Sequence, residues 1–137
     1  MAVDSGASET VLAEEMLETV EVREGDAKKR GVQYEVADGT LIPNLGEKVF
    51  VAVGENGSLR RMRAQVCDVN KALLSVRRVT QAGNKVVFEK DGGWIEDGAT
   101  GEKIWLKERD GMYILKLWVK RGGNAPTAKD FTWQGQN

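Results

Sequence analysis

Short apolar segments alternate with tight-turn dipeptides along most of this chain, and that alternation limits the folds open to it. Eight such segments occupy residues 33–36, 41–43, 49–53, 59–68, 86–89, 94–96, 103–107 and 112–119. Asp38-Gly39 separates the first two segments, and Asn56-Gly57 separates the next two. Both dipeptides accept the positive φ angles of hairpin turns. Short strands at this spacing predict an all-β sandwich or barrel.

Two other segments have the spacing of amphipathic helices. Apolar residues recur along residues 12–20, with glutamates between them, and along residues 72–82 up to Gly83. Apolar side chains three or four residues apart share one face of a helix, and glycine commonly follows a helix end. The spacing therefore predicts a helix in each segment.

The chain lacks the residues that many hydrolases and zinc sites need. It has no histidine and one cysteine, Cys67, so a Ser-His-Asp triad, a Cys-His pair, a histidine-containing zinc site and an intrachain disulfide are excluded within it. The longest apolar run is the five residues 49–53, far below the roughly 20 that a membrane-spanning helix needs. We expect a single-domain, intracellular, cytoplasmic protein without a membrane segment, whose chemistry comes from carboxylates, hydroxyls or binding alone.

Charge is unevenly distributed along the sequence. The first 26 residues carry eight acidic residues and one basic residue, whereas basic residues concentrate between Arg60 and Lys90. A basic stripe could contact phosphates. However, these arginines alternate with apolar residues, as on the solvent face of a half-buried strand, and the isoelectric point is 5.6 rather than above about 9. Nucleic acid is therefore not the partner that we expect.

The strongest local signal is Asp4-Ser5-Gly6-Ala7-Ser8, which follows an apolar dipeptide and precedes Thr10-Val11-Leu12. This motif resembles the active-site loop of retropepsin-type aspartic proteases, and its Asp-Ser-Gly-Ala-Ser form looks most like the proteases of copia-type retrotransposon polyproteins. Residues 72–83, with Leu73-Leu74-Ser75 where retroviral members have two apolar residues and glycine, are similar to the copia-type segment that carries the helix near the end of the protease. The resemblance covers residues 1–120 in the family's order.

The resemblance implies a closed, mostly β acid-protease barrel with one short helix in its C-terminal half. The family would favour loop and strand in the acidic stretch of residues 9–31, part of which periodicity predicts to be a helix. A retropepsin-like protease domain is expected at residues 1–121, followed by a flexible C-terminal tail at residues 122–137. Because only residues 1–3 stand where the family has a strand before the catalytic aspartate, we expect the chain to be an excised or truncated piece of a polyprotein.

The resemblance assigns catalysis to Asp4, Ser5 and Gly6. Peptide hydrolysis without a metal needs one group to deprotonate water and another to protonate the leaving nitrogen. Two carboxylates about 3 Å apart do both, because they share one proton, as is established for aspartic proteases in general. The chain holds a single Asp-Ser/Thr-Gly sequence, so a homodimer that sets Asp4 beside its symmetry-related copy would complete the site. Gly6 lets its N–H approach the carboxylate, and Ser5 would brace the loop of the second protomer.

The resemblance also places an extended peptide between this loop and a flap, where it would bind by β-addition. The expected substrate-binding residues lie in the loop and in the flap: Ala7, Val36, Asp38, Gly39, Leu41 and Ile42. The implied substrate is the parent Gag-Pol-like polyprotein, processed in a virus-like particle. No metal or cofactor is implied.

Two alternatives stay open at this point. The first is a catalytically inactive, retrotransposon-derived β domain that keeps Asp4 but forms no competent dimer. The second is a β-rich module that binds RNA through the basic surface between Arg60 and Arg78. This second alternative predicts a salt-sensitive RNA affinity that survives Asp4→Asn.

Overall fold

Strands make up most of the regular structure. The structure is a computed structural model that describes residues 1–36, 38–119 and 129–131. The strands are β1 (Ala2–Asp4), β2 (Val11–Leu12), β3 (Gln33–Glu35), β4 (Leu41–Pro43), β5 (Gly46–Gly54), β6 (Leu59–Val66), β7 (Leu73–Ser75), β8 (Asn84–Glu89), β9 (Gly92–Asp97), β10 (Lys103–Arg109), β11 (Met112–Leu115), β12 (Leu117–Val119) and β13 (Lys129–Asp130). Within those residues the helices are short: α1 (Asp26–Lys29) and α2 (Val76–Gln81). The prediction of a mostly β protein is confirmed.

The main sheet is mixed and open. Its strands pair in the order β12-β5-β6-β2-β7-β1-β11-β10-β9-β8, with β13 added beside β6, and the hairpin β3–β4 forms a separate sheet. The pairs β1/β7, β2/β6 and β13/β6 are parallel, and the other pairs are antiparallel. The expected closed barrel is not found among the described strands, because β12 and β8 stand at opposite ends of this order without pairing to each other.

Both hairpins that the turn dipeptides predict are confirmed. β3 pairs with β4 across Asp38-Gly39, and β5 pairs with β6 across Asn56-Gly57. Gly39 and Gly57 have φ angles of +87° and +83°. Glycine enters this left-handed region without the steric cost that a Cβ imposes. Local turn chemistry is thus enough to position both hairpins.

The prediction of a helix at residues 12–20 is wrong. After β2 this segment continues as a series of turns, and Leu17 has a φ of +56°. The Nζ of Lys48, from β5, donates hydrogen bonds to the carbonyl oxygens of Glu14, Met16 and Leu17 at 3.0, 2.6 and 3.0 Å. Lys48 is only 1% exposed. Because a buried ammonium needs several acceptors, it takes carbonyls that a helix would use for its own hydrogen bonds.

The helix predicted at residues 72–82 is present but shorter. Its first residues form β7 instead, which pairs in parallel with β1, so α2 begins at Val76. It ends before Gly83, whose φ is +94°, and this stop is the one that the sequence predicts. A long-range strand pairing has therefore replaced the first turn of the expected helix.

One apolar core includes side chains from most strands of the main sheet. Its largest fully buried apolar side chains are Met62, Leu74, Ile95, Leu115 and Phe131. Phe131 belongs to the segment expected to be a flexible tail, in which β13 pairs in parallel with β6. The rest of that expected tail, and the expected domain boundary at residue 121, lie outside the described residues. None of the described helices has the length and the apolar stretch that crossing a membrane requires.

Candidate functional site

The loop that follows β1 forms a tight turn around the Asp4 carboxylate. The backbone N–H of Gly6 donates a hydrogen bond to Asp4 Oδ1 at 2.7 Å. A Cβ built on Gly6 would lie 3.3 Å from that oxygen, closer than most side-chain contacts. Asp4 is half-buried, whereas Ser5 and Gly6 are exposed. The turn therefore holds the carboxylate at a surface that other molecules can reach, and the absence of a Cβ at Gly6 leaves room beside Oδ1.

The strand that carries Asp4 lies inside the main sheet rather than at its edge. β1 pairs in parallel with β7, which sets Asp4 opposite Ser75. On its other side β1 pairs antiparallel with β11, and Val3 faces Tyr113. Ala2 and Val3 are buried. The backbone leading to Asp4 is thus fixed on both edges by strands of the same chain.

Ser75 connects the Asp4 loop to β7 and to α2. Its hydroxyl donates to the carbonyl oxygen of Ala7 at 2.7 Å and accepts from the N–H of Arg78 at 3.2 Å as the N-cap of α2. Its own N–H donates to Thr10 Oγ1 at 3.0 Å. Ser75 and Thr10 are essentially buried, with exposures of 0% and 1%. The loop is therefore held to Ser75 at two points, Ala7 and Thr10.

An ion pair provides a further link between the loop and α2. The guanidinium of Arg78 donates to both carboxylate oxygens of Glu9, with Nε to Oε1 at 3.0 Å and Nη2 to Oε2. About three-quarters of each side chain is buried, with exposures of 23% for Arg78 and 25% for Glu9. Such a two-point contact fixes orientation better than a single one, so α2 also restrains the far end of the loop.

A cleft of about 1190 Å³ opens beside the Asp4 loop. The hairpin β3–β4, which is predicted to be the flap, forms part of its wall, and residues 67–71 and 111–113 also line it. Five of the predicted site residues line this cleft: Asp4, Gly6, Ala7, Val36 and Ile42. The structure therefore brings the predicted loop and two of the predicted flap residues together around one space.

Four predicted site residues do not line the cleft: Ser5, Asp38, Gly39 and Leu41. Leu41 pairs with Glu35 and is 54% exposed. Because side chains alternate between the two faces of a strand, Leu41 and Ile42 face opposite sides of the hairpin. Asp38 and Gly39 form the turn at the tip of the hairpin.

Asp38 has a structural role at that tip. Its Oδ1 accepts a hydrogen bond from the N–H of Thr40 at 2.9 Å, and this hydrogen bond lowers the pKa of the Asp38 carboxyl. A carboxylate that stabilises its own turn in this way is typical of an aspartate at the start of a β-turn. Asp38 thus shapes the flap without reaching the cleft wall.

The sequence analysis missed Tyr34, which lines the cleft beside the predicted flap residues. It lies two residues before Val36 and directly opposite Ile42. The signal was available in the strand alternation, because residues two apart in a strand share a face. Buried Asn44 donates to the Tyr34 hydroxyl at 3.0 Å, and no local pattern indicates that contact.

The basic segment is largely occupied by ion pairs within the chain. Nη2 of Arg60 lies 2.8 Å from a carboxylate oxygen of Glu102, and the Arg60 side chain is 5% exposed. Nε of Arg63 lies 3.5 Å from a carboxylate oxygen of Glu47, and Arg78 belongs to the ion pair described above. Phosphate binding would have to compete with these contacts, which weakens the RNA-binding alternative.

Comparison with protein-family models, with curated proteins and with solved structures finds no match to this chain. In the part of the chain that the structure describes, no three histidine, cysteine, aspartate or glutamate side chains are grouped closely enough to hold a metal ion. Function must therefore be inferred from the residues of the cleft and their geometry.

Proposed function

We propose that this chain is one subunit of a homodimeric aspartic endopeptidase. The observation that carries the proposal is the Asp4 loop itself: a reachable carboxylate, bound by the Gly6 N–H at 2.7 Å, on the wall of a cleft that a β-hairpin flanks. A peptide in extended form fits a cleft bordered by strands. No other Asp-Ser/Thr-Gly sequence occurs in the chain, so the second carboxylate has to come from a second copy.

The proposed chemistry follows from two Asp4 carboxylates that meet on a two-fold axis. Two like charges about 3 Å apart cannot both be ionised, so the pair holds one proton. The ionised partner removes a proton from a water molecule as that water attacks the peptide carbonyl carbon. The protonated partner donates to the carbonyl oxygen, and the leaving nitrogen then receives a proton from the pair. Gly6 N–H supports the ionised form through its hydrogen bond to Oδ1.

The retropepsin-like fold remains part of the proposal, and the order of the elements supports it. The strand with Asp4 is followed by a flap hairpin, a second and longer hairpin, the strand β7 parallel to β1, and then α2. This is the order that the resemblance implies for catalytic loop, flap, hairpin and helix. Ser75, which stands where retroviral members have glycine, hydrogen-bonds to the loop through its hydroxyl.

The proposed substrate is an extended segment of a Gag-Pol-like polyprotein. Val36 and Ile42 line the cleft and would supply apolar contacts to alternate side chains of that segment. The exposed Ser5 would contact the loop of the second protomer. The source of the substrate rests on the resemblance alone.

The test is peptide cleavage at mildly acidic pH, with a mass-spectrometric readout of a peptide library. Asp4→Asn is compared with the wild type and with Asp91→Asn, a control that makes the same change at an exposed Asp-Gly turn. General acid–base catalysis contributes about 10²–10⁴-fold, so Asp4→Asn should lose at least that factor while Asp91→Asn keeps full activity. Equal cleavage by wild type and Asp4→Asn would refute the proposal.

A mixing experiment tests the shared site directly. Equimolar Asp4→Asn protein is added to a fixed amount of wild type and allowed to exchange subunits. If each active site needs both aspartates, random pairing leaves about half of the wild-type activity. Unchanged activity, with mixed dimers verified by native mass spectrometry of a mass-tagged Asp4→Asn protein, would mean that one chain contains the whole site. A strictly monomeric protein without activity would favour the inactive β domain.

A further inference from the structure

Four residues of the hairpin β3–β4 line the cleft: the polar Tyr34 and Glu35 and the apolar Val36 and Ile42. Tyr34 stands directly across from Ile42 in the hairpin register. Tyr34 is half-buried, and its hydroxyl interacts electrostatically with Glu9 and Cys67, two residues that also line the cleft. A tyrosine placed in this way combines an apolar contact with a hydrogen-bonding group.

The hydrogen bonds of Asn44 determine whether the Tyr34 hydroxyl donates to Asn44 or accepts from it. Oδ1 of Asn44 accepts from the N–H of Gly46 at 2.8 Å, so the amide orientation is fixed. Its Nδ2 then donates to Gln65 Oε1 at 2.8 Å and to the Tyr34 hydroxyl oxygen at 3.0 Å. Asn44 and Gln65 are 5% and 7% exposed. In this network the Tyr34 oxygen accepts from Asn44, because Nδ2 of an amide can only donate and Oδ1 of Asn44 is bound to Gly46.

The Tyr34 hydroxyl therefore keeps its own hydrogen for another partner. A phenol hydroxyl can accept and donate at once, and none of the described residues accepts a hydrogen bond from it. Burial raises the pKa of Tyr34, so the hydroxyl stays protonated throughout the acidic and neutral range. The result is a hydrogen-bond donor beside the cleft, anchored from below by Asn44.

We propose that the Tyr34 hydroxyl donates a hydrogen bond to a backbone carbonyl oxygen of the extended peptide bound beneath the flap. This inference rests on the proposed endopeptidase function, and it adds a substrate-positioning residue that the sequence motif does not include. A backbone carbonyl is the ligand group of choice, because an extended peptide presents one at every residue whatever its sequence. Tyr34 would thus fix the depth of the peptide in the cleft, whereas the side-chain pockets of the cleft would select the peptide sequence.

The experiment measures binding of one defined probe to the intact protein. The probe is the peptide Val-Val-statine-Ala, whose statine hydroxyl mimics the tetrahedral intermediate of hydrolysis. In a series of analogues, each backbone carbonyl is replaced in turn by a trans-alkene, which keeps the shape and removes the acceptor. Affinities are measured by calorimetry for wild type, Tyr34→Phe and Thr80→Val. The last is the control, because it removes a hydroxyl that already donates to the carbonyl oxygen of Arg77 at 2.9 Å, on the exposed side of α2 and outside the cleft wall.

The expected result is one position at which the alkene weakens binding to wild type and Thr80→Val by about three- to tenfold but leaves binding to Tyr34→Phe unchanged. Alkenes at other positions should weaken binding equally in all three proteins. If Tyr34 only supports the structure of the hairpin, Tyr34→Phe would lower the affinity for the parent peptide and for every analogue by the same factor. The loss caused by each alkene, measured against the parent peptide in the same protein, would then be equal in Tyr34→Phe and wild type.

Two results would overturn the inference. If every analogue behaves alike in wild type and Tyr34→Phe while wild type binds the probe, Tyr34 makes no hydrogen bond to the peptide and the proposed endopeptidase still stands. If wild type neither binds the probe nor cleaves any library peptide, the endopeptidase and the role of Tyr34 fail together.

Discussion

Removing the hydroxyl of Ser75 tests whether the Asp4 loop depends on its contact with β7 and α2. In Ser75→Ala the loop loses the hydrogen bond to the Ala7 carbonyl oxygen, which is 2.7 Å long. The same change removes the side-chain cap of α2, an acceptor 3.2 Å from the Arg78 N–H. The backbone N–H of Ser75 keeps its bond to Thr10, so β7 itself should remain in place.

The expected cost follows from these two contacts. Loss of an N-cap costs about 1 kcal/mol, and loss of a buried neutral hydrogen bond costs about another 1 kcal/mol. The side chain is 0% exposed, so water does not replace either contact. Ser75→Ala should therefore lower the free energy of unfolding by about 2 kcal/mol, which for a chain of this length lowers the Tm by about 6–8 °C.

Activity should fall as well, if the proposed endopeptidase function is right. A loop freed from Ser75 holds Asp4 less accurately, and misplacement by 1 Å costs up to about 10²-fold in rate. We expect kcat to fall by about ten- to a hundredfold with little change in KM, because Val36 and Ile42 remain in place. The assays are thermal unfolding by circular dichroism and steady-state cleavage of one peptide, both well below the Tm.

Thr80→Ala is the matched control. Its hydroxyl donates to the Arg77 carbonyl oxygen at 2.9 Å on the exposed side of the same helix, so its removal should change stability by no more than about 0.5 kcal/mol. If the free energy of unfolding of Ser75→Ala also lies within about 0.5 kcal/mol of the wild-type value, the hydrogen bonds described for Ser75 do not stabilise the protein. If it loses stability but keeps full kcat, the loop does not need this brace for catalysis.

Two further predictions concern charged groups away from the loop. Lys48→Met removes three charge-assisted hydrogen bonds and should lower the free energy of unfolding, measured by urea titration, by about 3 kcal/mol. The control Lys85→Met changes a side chain that is 65% exposed and should alter the free energy of unfolding by less than about 0.5 kcal/mol. Equal effects of the two substitutions would mean that the buried ammonium of Lys48 does not stabilise the fold. Hydrogen bonds from Ser58 and Arg60 lower the pKa of Glu102 in the folded state. The ionised carboxylate therefore stabilises the fold at any pH above the ordinary pKa of a glutamate, and this contribution is lost as the pH falls through the lowered pKa. Wild type should therefore lose more stability between pH 7 and strongly acidic pH than Glu102→Gln, and parallel pH profiles of the urea midpoint would contradict this.

Part of the candidate site could be predicted because its determinants are local. The turn around Asp4 forms through a hydrogen bond from the N–H two residues later to the carboxylate, a contact within three residues of sequence. The inward position of Val36 and Ile42 follows from the alternation of strand residues around Asp38-Gly39. That same alternation places Leu41 on the opposite face of the hairpin from Ile42, so Leu41 does not line the cleft.

Other parts of the site depend on residues far apart in sequence. Ser75 meets Ala7 across 68 residues, and the Glu9 carboxylate meets Arg78 across 69 residues. The hydrogen bonds that orient the Tyr34 hydroxyl come from Asn44, which is itself held by Gln65. No periodicity or turn preference reports such contacts, because they exist only once the strands have paired.

The sequence by itself determined the mostly β class, the two hairpins, the stop at Gly83 and the Asp-Ser-Gly turn. Each of these depends on φ preferences and side-chain alternation within a few residues, and such short-range terms act in any fold. The tertiary structure decided that residues 13–20 form turns around the Lys48 ammonium and that β7 replaces the start of a helix. It also decided that the sheet is open. In these places helical spacing favoured one local structure, but a buried charge and a parallel strand pairing stabilise another through contacts over 30 or more residues.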